Sequence, residues 1–443
     1  MKRVLFNKLK DWKQGGVRRK PLILEGARQV GKTYLLKEFG STEFPAFHYI
    51  NFEQEKKIAS VFEADLKPQR ILQELEFHLG RPIRKNEDLL IFDEIQSAPQ
   101  ALTSLKYFSE EMPELALCSA GSLLGLELNS VSFPVGKVDF LSLFPLSFEE
   151  FLLALEDHRS LEIIQNLSLK DPIPEIVHDH LWSCLKNYFV VGGLPESVST
   201  FIESKESPFL AMENVRKIQH DLVLAYLADM AKHAGKRNSM HLERLLRHIP
   251  EQLAKNQDQS APKFKFKDVI PGIQGYGRLV GPIDWLVKAR LVIKTPFVNH
   301  AELPFSAYAK ENAFKLYLFD VGLLGALSGI SPKTLLEYDY GSYKGYFAEN
   351  FVAQEFLAQG VPELYSWNEK TAEVEFLREI DGKIIPIEVK SGWVTQAKSL
   401  RAFADKYFPP FQIILSANNK HVDLARKTHR YPLYLAGRIP LKE

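Results

Sequence analysis

The sequence predicts an α/β protein that begins on a mostly parallel sheet, passes through a helical middle region and ends in a second α/β region. Three observations carry this. Over the first 150 residues, short apolar runs alternate with charged, helically patterned stretches. From about Ser147 the pattern turns helical, and in the C-terminal third strands and helices mix again. The first apolar run leads directly into a glycine-containing turn and then a helix.

The elements follow in order. Pro21–Glu25 reads as a buried strand, followed by the turn and a helix from Lys32 through Glu38. Phe47–Phe52, Leu89–Phe92, Leu115–Cys118 and Val138–Phe144 are four further apolar runs, each of strand length. Ser147 followed by Glu150 ahead of an apolar helix is a capping-box signature. Helical periodicity continues to about Ala231, broken at Gly192-Gly193-Leu194-Pro195. Short helical patterns then precede Trp285-Leu286-Val287 and Leu291-Val292-Ile293, read as a short hairpin and hence a winged-helix-like region. In the C-terminal third, 346–357 and 398–407 read as helices. There 372–377 and 384–389 read as strands joined by the turn Asp381-Gly382, and 411–415 as another strand.

Composition bounds the class. At 443 residues the chain is too long for one ordinary core, and 45% hydrophobic with 25% charged residues is the balance of a soluble globular protein. The formal net charge of +1 provides no global field toward nucleic acid or membrane, although local basic patches remain open. Cys118 and Cys184 are the only cysteines, so a disulfide framework is excluded and a reducing cytosol is expected. No zinc-ligand spacing is read from the cysteines or from the twelve histidines. Neither a signal peptide nor a membrane span is expected, which makes the protein cytoplasmic with no membrane partner.

Gly26-Ala27-Arg28-Gln29-Val30-Gly31-Lys32-Thr33 fits the P-loop pattern G-x-x-x-x-G-K-[ST] without mismatch. Its glycines let the backbone curl so that successive N–H groups face phosphate oxygens, and the helix beginning there adds its positive end. Lys32 is assigned to the β- and γ-phosphates and the Thr33 hydroxyl to Mg²⁺, which makes ATP and Mg²⁺ the expected ligands. Such a loop needs an acidic site on a neighbouring strand. Leu89-Leu90-Ile91-Phe92-Asp93-Glu94 provides one, with Asp93 for the magnesium shell and Glu94 to polarise the attacking water. Ser119-Ala120-Gly121-Ser122 follows the fourth apolar run and offers Ser119 or Ser122 as a sensor of the γ-phosphate.

The chain resembles the bacterial and archaeal AAA-type ATPases fused to a C-terminal domain of unknown function, related to the signal-transduction (STAND) ATPases. The resemblance rests on residues 26–33, Ile-Phe-Asp-Glu-Ile-Gln at 91–96, Ala-Gly-Ser-Leu-Leu at 120–124 and Phe-Pro-Leu-Ser-Phe-Glu-Glu-Phe at 144–151. It continues through Val-Gly-Gly-Leu-Pro-Glu at 191–196, the run at 314–324, Gly-Tyr-Phe-Ala-Glu-Asn at 345–350 and Pro-Ile-Glu-Val-Lys-Ser-Gly at 386–392. It implies a P-loop ATPase core over 1–150, a helical lid over 151–238, a winged-helix-like region over 239–305 and a restriction-endonuclease-like domain over 306–443. Many relatives carry Gly-Arg where this chain has Gly136-Lys137. Lys137 keeps the charge of such an arginine without its planar fork.

Glu388-Val389-Lys390 ends an apolar strand, Glu375 lies near the end of the preceding one, and Glu349 sits on the helix before both. In a nuclease of the PD-(D/E)xK type, such carboxylates hold Mg²⁺ while the lysine stabilises developing charge. Relatives commonly have Asp where Glu375 stands. The same E-x-K spacing recurs at Glu55/Lys57 and Glu203/Lys205, and an exposed pair of this kind is ordinarily a solvated edge. Two basic clusters, 232–237 and Lys263-Phe264-Lys265-Phe266-Lys267, suit either phosphate contacts on DNA or an edge with lysines facing water. Three functions stay open: a regulatory ATPase controlling its C-terminal domain or a protein partner, an ATP-regulated Mg²⁺-dependent DNA nuclease, and a switch with negligible hydrolysis. Oligomeric state stays open too.

Overall fold

Each of the five apolar runs of the first third becomes a strand in the computed structural model of the chain, which describes residues 1–122, 133–204, 207–256, 263–272, 275–337, 345–369, 372–390 and 398–441. Two compact units are present where the sequence reading drew four segments. One is Met1–Phe144 with Lys288–Arg290; the other is Pro145–Val287 with Leu291–Glu443.

In the first unit, β1 (Leu22–Glu25), β2 (Phe47–Asn51), β3 (Leu89–Asp93), β4 (Ala116–Gly121) and β5 (Asp139–Ser142) form one sheet in the order β2-β3-β4-β1-β5. All four pairings are parallel. Parallel neighbours need long crossovers, here made by α2 (Lys32–Glu43), α3 (Pro68–Leu79) and α4 (Pro99–Glu111), with α1 (Leu5–Gln14) ahead of the sheet. β3 and β4 are buried along their whole length, which is why they read as unbroken apolar runs rather than alternating ones. Phe52, Phe62 and Phe92 meet edge to face, with ring centroids 5.4–5.7 Å apart, in the core of this unit.

One expectation is corrected. The acidic strand β3 is not beside β1, because β4 lies between them. The end of β4 therefore sits between the loop after β1 and the carboxylates after β3, so Gly121 and Ser122 occupy the middle of the strand-end edge.

The second unit opens with α5 (Phe148–Ala154), whose capping box forms as read: the Glu150 N–H donates to Ser147 Oγ at 3.3 Å and the Ser147 N–H to Glu150 Oε2 at 3.1 Å. Then come α6 (His158–Asn166), α7 (Glu175–Val191), α8 (Pro195–Glu203), α9 (Pro208–Ala234), α10 (Lys236–Asn256) and α11 (Tyr276–Lys288). The expected break after Val191 is real. Gly192 has φ +71°, and a Cβ on Gly193 would lie 2.2 Å from the Leu146 carbonyl oxygen, so only glycine fits.

The remaining strands build one mixed sheet. They are β6 (Val292–Val298), β7 (Ala309–Leu318), β8 (Tyr365–Glu369), β9 (Ala372–Ile380), β10 (Lys383–Val389), β11 (Gln412–Ser416), β12 (His421–Asp423) and β13 (Thr428–Pro432). Their order is β12-β13-β11-β10-β9-β8-β6-β7. With them come α12 (Val321–Leu327), α13 (Pro332–Glu337), α14 (Gly345–Ala358) and α15 (Lys398–Tyr407). Trp367 of β8 packs edge to face on Phe403 of α15 at 5.2 Å, within the cluster that includes Val298, Val374 and Leu400.

The hairpin read at 285–287 and 291–293 is not there. Trp285–Val287 ends α11, where Leu279, Ile283 and Leu286 recur at helical spacing and are fully buried. A three-residue apolar run cannot by itself distinguish the last turn of a helix from a short strand. The hairpin that does form joins β6 to β7, and β6 pairs on its other side with β8, so it belongs to the eight-stranded sheet rather than standing free as a wing. The boundary expected at 305/306 falls inside this hairpin.

Candidate functional site

Two groups of candidate side chains are assembled, one in each unit. The first lies at the C-terminal ends of β1, β3 and β4, where an open parallel sheet presents its ligand-binding edge. The chain leaves β1 through Gly26 and curls to α2, with Gln29 at φ +65° and Gly31 at φ +96°. A Cβ on Gly26 would meet the Leu143 carbonyl oxygen at 2.3 Å, so the loop can start only with glycine. Lys32, the first residue of α2, is 7% exposed, and its Nζ donates to the carbonyls of Gly26 at 3.1 Å and Ala27 at 2.8 Å. Burial lowers its pKa to about 8, with the charges of Glu94 and Asp93 opposing that fall.

Thr33 Oγ1 donates to Asp93 Oδ2 at 2.7 Å, which joins the P-loop to the acidic strand directly. Tyr49 of β2 donates to the same oxygen at 2.7 Å and itself accepts from Asn51 Nδ2 at 3.1 Å. Burial and the adjoining carboxylates raise the Tyr49 pKa, keeping the phenol a donor. Asp93 Oδ1 accepts from the Glu94 N–H at 3.0 Å, and Glu94 turns through φ +50°, where its carboxylate accepts from Gln96 Nε2. Asp93 is thus fixed by three donors, while Glu94 hangs from the turn that follows β3. A magnesium ion would be held by Thr33 and Asp93, both oxygen donors suited to a hard cation.

The two serines separate. Ser119 is fully buried and donates to the Leu22 carbonyl at 3.2 Å, so it ties β4 to β1. Ser122 accepts from Arg28 Nε at 3.3 Å and so faces the P-loop. Residues 123 and 124 of the motif lie outside the described residues. Lys137 pairs with Glu110 at 2.9 Å on the surface of the first unit. Tyr49 and Gln96 were missed by sequence reading. Gln96 lay within the quoted 91–96 motif, and Tyr49 is every second residue from Phe47 and Asn51, on the strand paired in register with β3.

The second group lies in the second unit. Glu349 of α14 accepts from Lys315 Nζ at 2.9 Å and from the Tyr317 hydroxyl at 2.8 Å, and Lys315 reaches Glu373 at 2.6 Å. Glu388 pairs with Lys390, and Glu375 accepts from the Val389 N–H at 3.2 Å. Burial pushes the Glu375 carboxyl well up, and the neighbouring Glu388 pushes it further. Burial lowers the Lys390 pKa but Glu375 and Glu388 outweigh it, so the ammonium is held charged. Glu388 is 3% exposed, and its Oε2 has no hydrogen-bond partner among the described residues. The four residues singled out in the sequence, Glu349, Glu375, Glu388 and Lys390, therefore interact. Lys315, Tyr317 and Glu373 complete the group and were missed. Their signal was a lysine and a tyrosine two apart inside the apolar run Phe314–Leu318, and a second glutamate two before Glu375 on the same strand face.

The basic segments offer less. Phe264 and Phe266 pack on Phe314, with centroids 6.0 and 5.7 Å away, and Lys265 and Lys267 face water. The side chains of Lys236 and Arg237 lie outside the described residues. Among the described residues, no helix is long and apolar enough to cross a membrane.

The parallel sheet, the glycine-led loop and the carboxylate facing its threonine are those of a P-loop ATPase domain, and the match below makes it AAA-type, a fold that suggests ATP binding and hydrolysis. Residues 18–152 match the family model of an AAA domain. Residues 183–334 and 344–435 match two further models, each described as a domain of unknown function (DUF8612 and DUF4143). Among solved structures, the Walker-type ATPase PABY2304 of Pyrococcus abyssi is similar at 16% identity and TM-score 0.44, over 73% of this chain and 94% of that one. AMPPCP-bound DnaA from Aquifex aeolicus aligns at 14% identity and TM-score 0.31, over 65% and 88%. The RuvB Holliday junction branch migration motor of Thermotoga maritima aligns at 13% and 0.29, over 65% and 86%. No curated protein matches the chain.

Proposed function

We propose that the chain binds ATP with Mg²⁺ at Gly26–Thr33 and hydrolyses it, and that its nucleotide state regulates the C-terminal α/β region or a bound partner. The hydrogen bond between Thr33 and Asp93 carries this reading, because it puts the loop's hydroxyl and the strand-end carboxylate on one point. Thr33 and Asp93 would hold magnesium there, and the ion would supply positive charge to neutralise the phosphates. Lys32 would exchange its two carbonyl contacts for phosphate oxygens, and the loop N–H groups would cradle the chain of phosphates. Glu94, next to Asp93 and oriented by Gln96, would hold the attacking water and take its proton. Ser122, beside Arg28, would sense the γ-phosphate.

The test is ATP turnover by the wild type and by Glu94→Gln, with and without DNA. Turnover lost by about 10²–10⁴-fold with ATP binding retained is the expected result. Turnover unchanged in the variant removes Glu94 from the reaction, and tight binding with no turnover in the wild type makes the protein a switch.

A second reading rests on Glu388 Oε2, a buried carboxylate oxygen with no partner among the described residues. With Glu349 and Glu375 it would bind Mg²⁺, and Lys390 would stabilise charge developing on a scissile phosphate. This is the restriction-endonuclease-like reading of the C-terminal region; kinship with the STAND ATPases belongs with the first reading, that of the ATPase core. Mg²⁺-dependent cleavage of DNA that disappears in Glu388→Ala and Lys390→Ala supports it; cleavage surviving in both overturns it.

A further inference from the structure

We infer a metal site outside both groups, in the second unit, formed by Asp157, His180 and Cys184. A carboxylate oxygen, an imidazole nitrogen and a thiol sulfur converge there, all within 4.8 Å of one another. His180 Nε2 is 2.7 Å from Asp157 Oδ2 and 3.7 Å from Cys184 Sγ.

The placement comes from local structure. His180 and Cys184 are four residues apart on α7 and share one face of it. Asp157 is the N-cap of α6, and its Oδ1 accepts from the Ser160 N–H at 3.2 Å. That bond fixes the carboxylate and leaves Oδ2 directed at His180.

The same three residue types also make up a thiol protease triad, and the geometry separates the two. In a triad the histidine takes the thiol proton on one ring nitrogen while the carboxylate holds the other. Here both neighbours approach Nε2, so no such relay exists. Three ligand atoms gathered on one point is what a cation requires. Tetrahedral zinc with bonds of about 2.0–2.3 Å separates its ligand atoms by roughly 3.3–3.8 Å, so the 3.7 Å spacing already suits it and the 2.7 Å contact would open on binding.

The donor set selects the ion. Thiolate and imidazole ligands suit a borderline-soft ion such as zinc, and disfavour the hard magnesium that the other sites would hold. Cys184 is buried whereas the His180 side chain is 55% exposed, so one side of the site opens to water and a solvent molecule takes the fourth position. Binding forms the zinc–sulfur bond and releases the thiol proton to solvent. The bound ion ties the start of α6 to the middle of α7.

The experiment is a Co²⁺ titration of the full-length protein without nucleotide, read by absorption. The expected result is a thiolate-to-cobalt charge-transfer band with the intense visible bands of tetrahedral cobalt, both erased by added Zn²⁺. Cobalt at Thr33 and Asp93, or at the glutamate cluster, has no sulfur ligand and gives no such band. The band should vanish in Cys184→Ser, vanish or weaken strongly in His180→Ala, and persist in Cys118→Ser. A wild type without the band overturns the proposal, as does a band that survives Cys184→Ser.

Discussion

Two buried lysines, one in each unit, show what each unit is built to do. Lys32 is 7% exposed and Lys315 is 5% exposed, so burial disfavours the ammonium in both. Lys32 nonetheless touches only main-chain carbonyls, and its pKa falls to about 8. Lys315 touches Glu349 and Glu373, which outweigh its burial and hold its pKa well above the usual value. Partners, not depth, set the sign. The first lysine lacks a counter-charge in contact, as the proposed phosphate-binding role requires, while the second is already neutralised by the carboxylates it touches.

The sharpest way to break this comparison is to remove Lys315. Lys315→Met leaves Glu349 and Glu373 without their shared cation in a buried setting, and losing one partner of such a group costs about 3–5 kcal/mol. Urea denaturation should show that loss, and ATP binding by the native fraction should not change. Adding Glu373→Gln should recover part of it. A variant as stable as the wild type would show that the cluster does not depend on this lysine.

Much of this contrast was legible beforehand, though unevenly. The P-loop and Asp93-Glu94 were readable because each fixed residue answers to a local need: glycine at a tight approach, acid at a strand end. The turn Asp381-Gly382 was readable for the same reason, both residues having positive φ between β9 and β10. Lys315 was not, because one lysine in an apolar run resembles a snorkelling edge residue until its partners, 34 and 58 residues away, are known. The separation of β1 from β3 by β4 was hidden too, since strand order is fixed by crossovers rather than by the strands. Trp285–Val287 misled because its helical partners Leu279 and Ile283 lie before it, on either side of a proline at 282.

A buried acid with no cation sharpens the rule. Glu355 of α14 is 2% exposed and accepts from the Phe148 N–H at 2.9 Å. Burial, with Glu149 and Glu150 nearby, raises its pKa from 4.5 to about 8. The proton is therefore held more tightly in the folded state than in the unfolded one. Its stabilisation is complete below pH 4.5 and is lost as pH rises through about 8. Glu355→Gln keeps the acceptor and removes the titration, so it should be more stable than the wild type at pH 7 by on the order of 3 kcal/mol. The two should converge near pH 4.5. Denaturation at pH 5, 7 and 8.5 checks this, and a wild type that gains stability from pH 5 to 8 would contradict it.

Lys32→Met should do the opposite of Lys315→Met. Its two carbonyl contacts contribute little to the fold, whereas a charge-assisted bond to phosphate is worth about 1.5–3 kcal/mol. ATP affinity should fall by roughly 10–10²-fold in a titration with a fluorescent nucleotide, and the denaturation midpoint should stay within about 0.5 kcal/mol of the wild type. Equal losses of stability and affinity would mean that Lys32 is structural after all.

The smallest effect is the most specific to the comparison. With a pKa of about 8 in the free protein, Lys32 is partly deprotonated at pH 8, and polyphosphate beside it must raise that pKa. ATP binding at pH 8 should therefore take up a fraction of a proton, seen as a dependence of binding enthalpy on the ionisation enthalpy of the buffer. Affinity should be flat well below pH 8 and weaken above it by up to tenfold per unit, until the pKa of the bound form is passed. Lys32→Met should abolish both the uptake and the slope. Uptake that persists in the variant would transfer the proton to another group and leave Lys32 charged throughout, ending the contrast with Lys315.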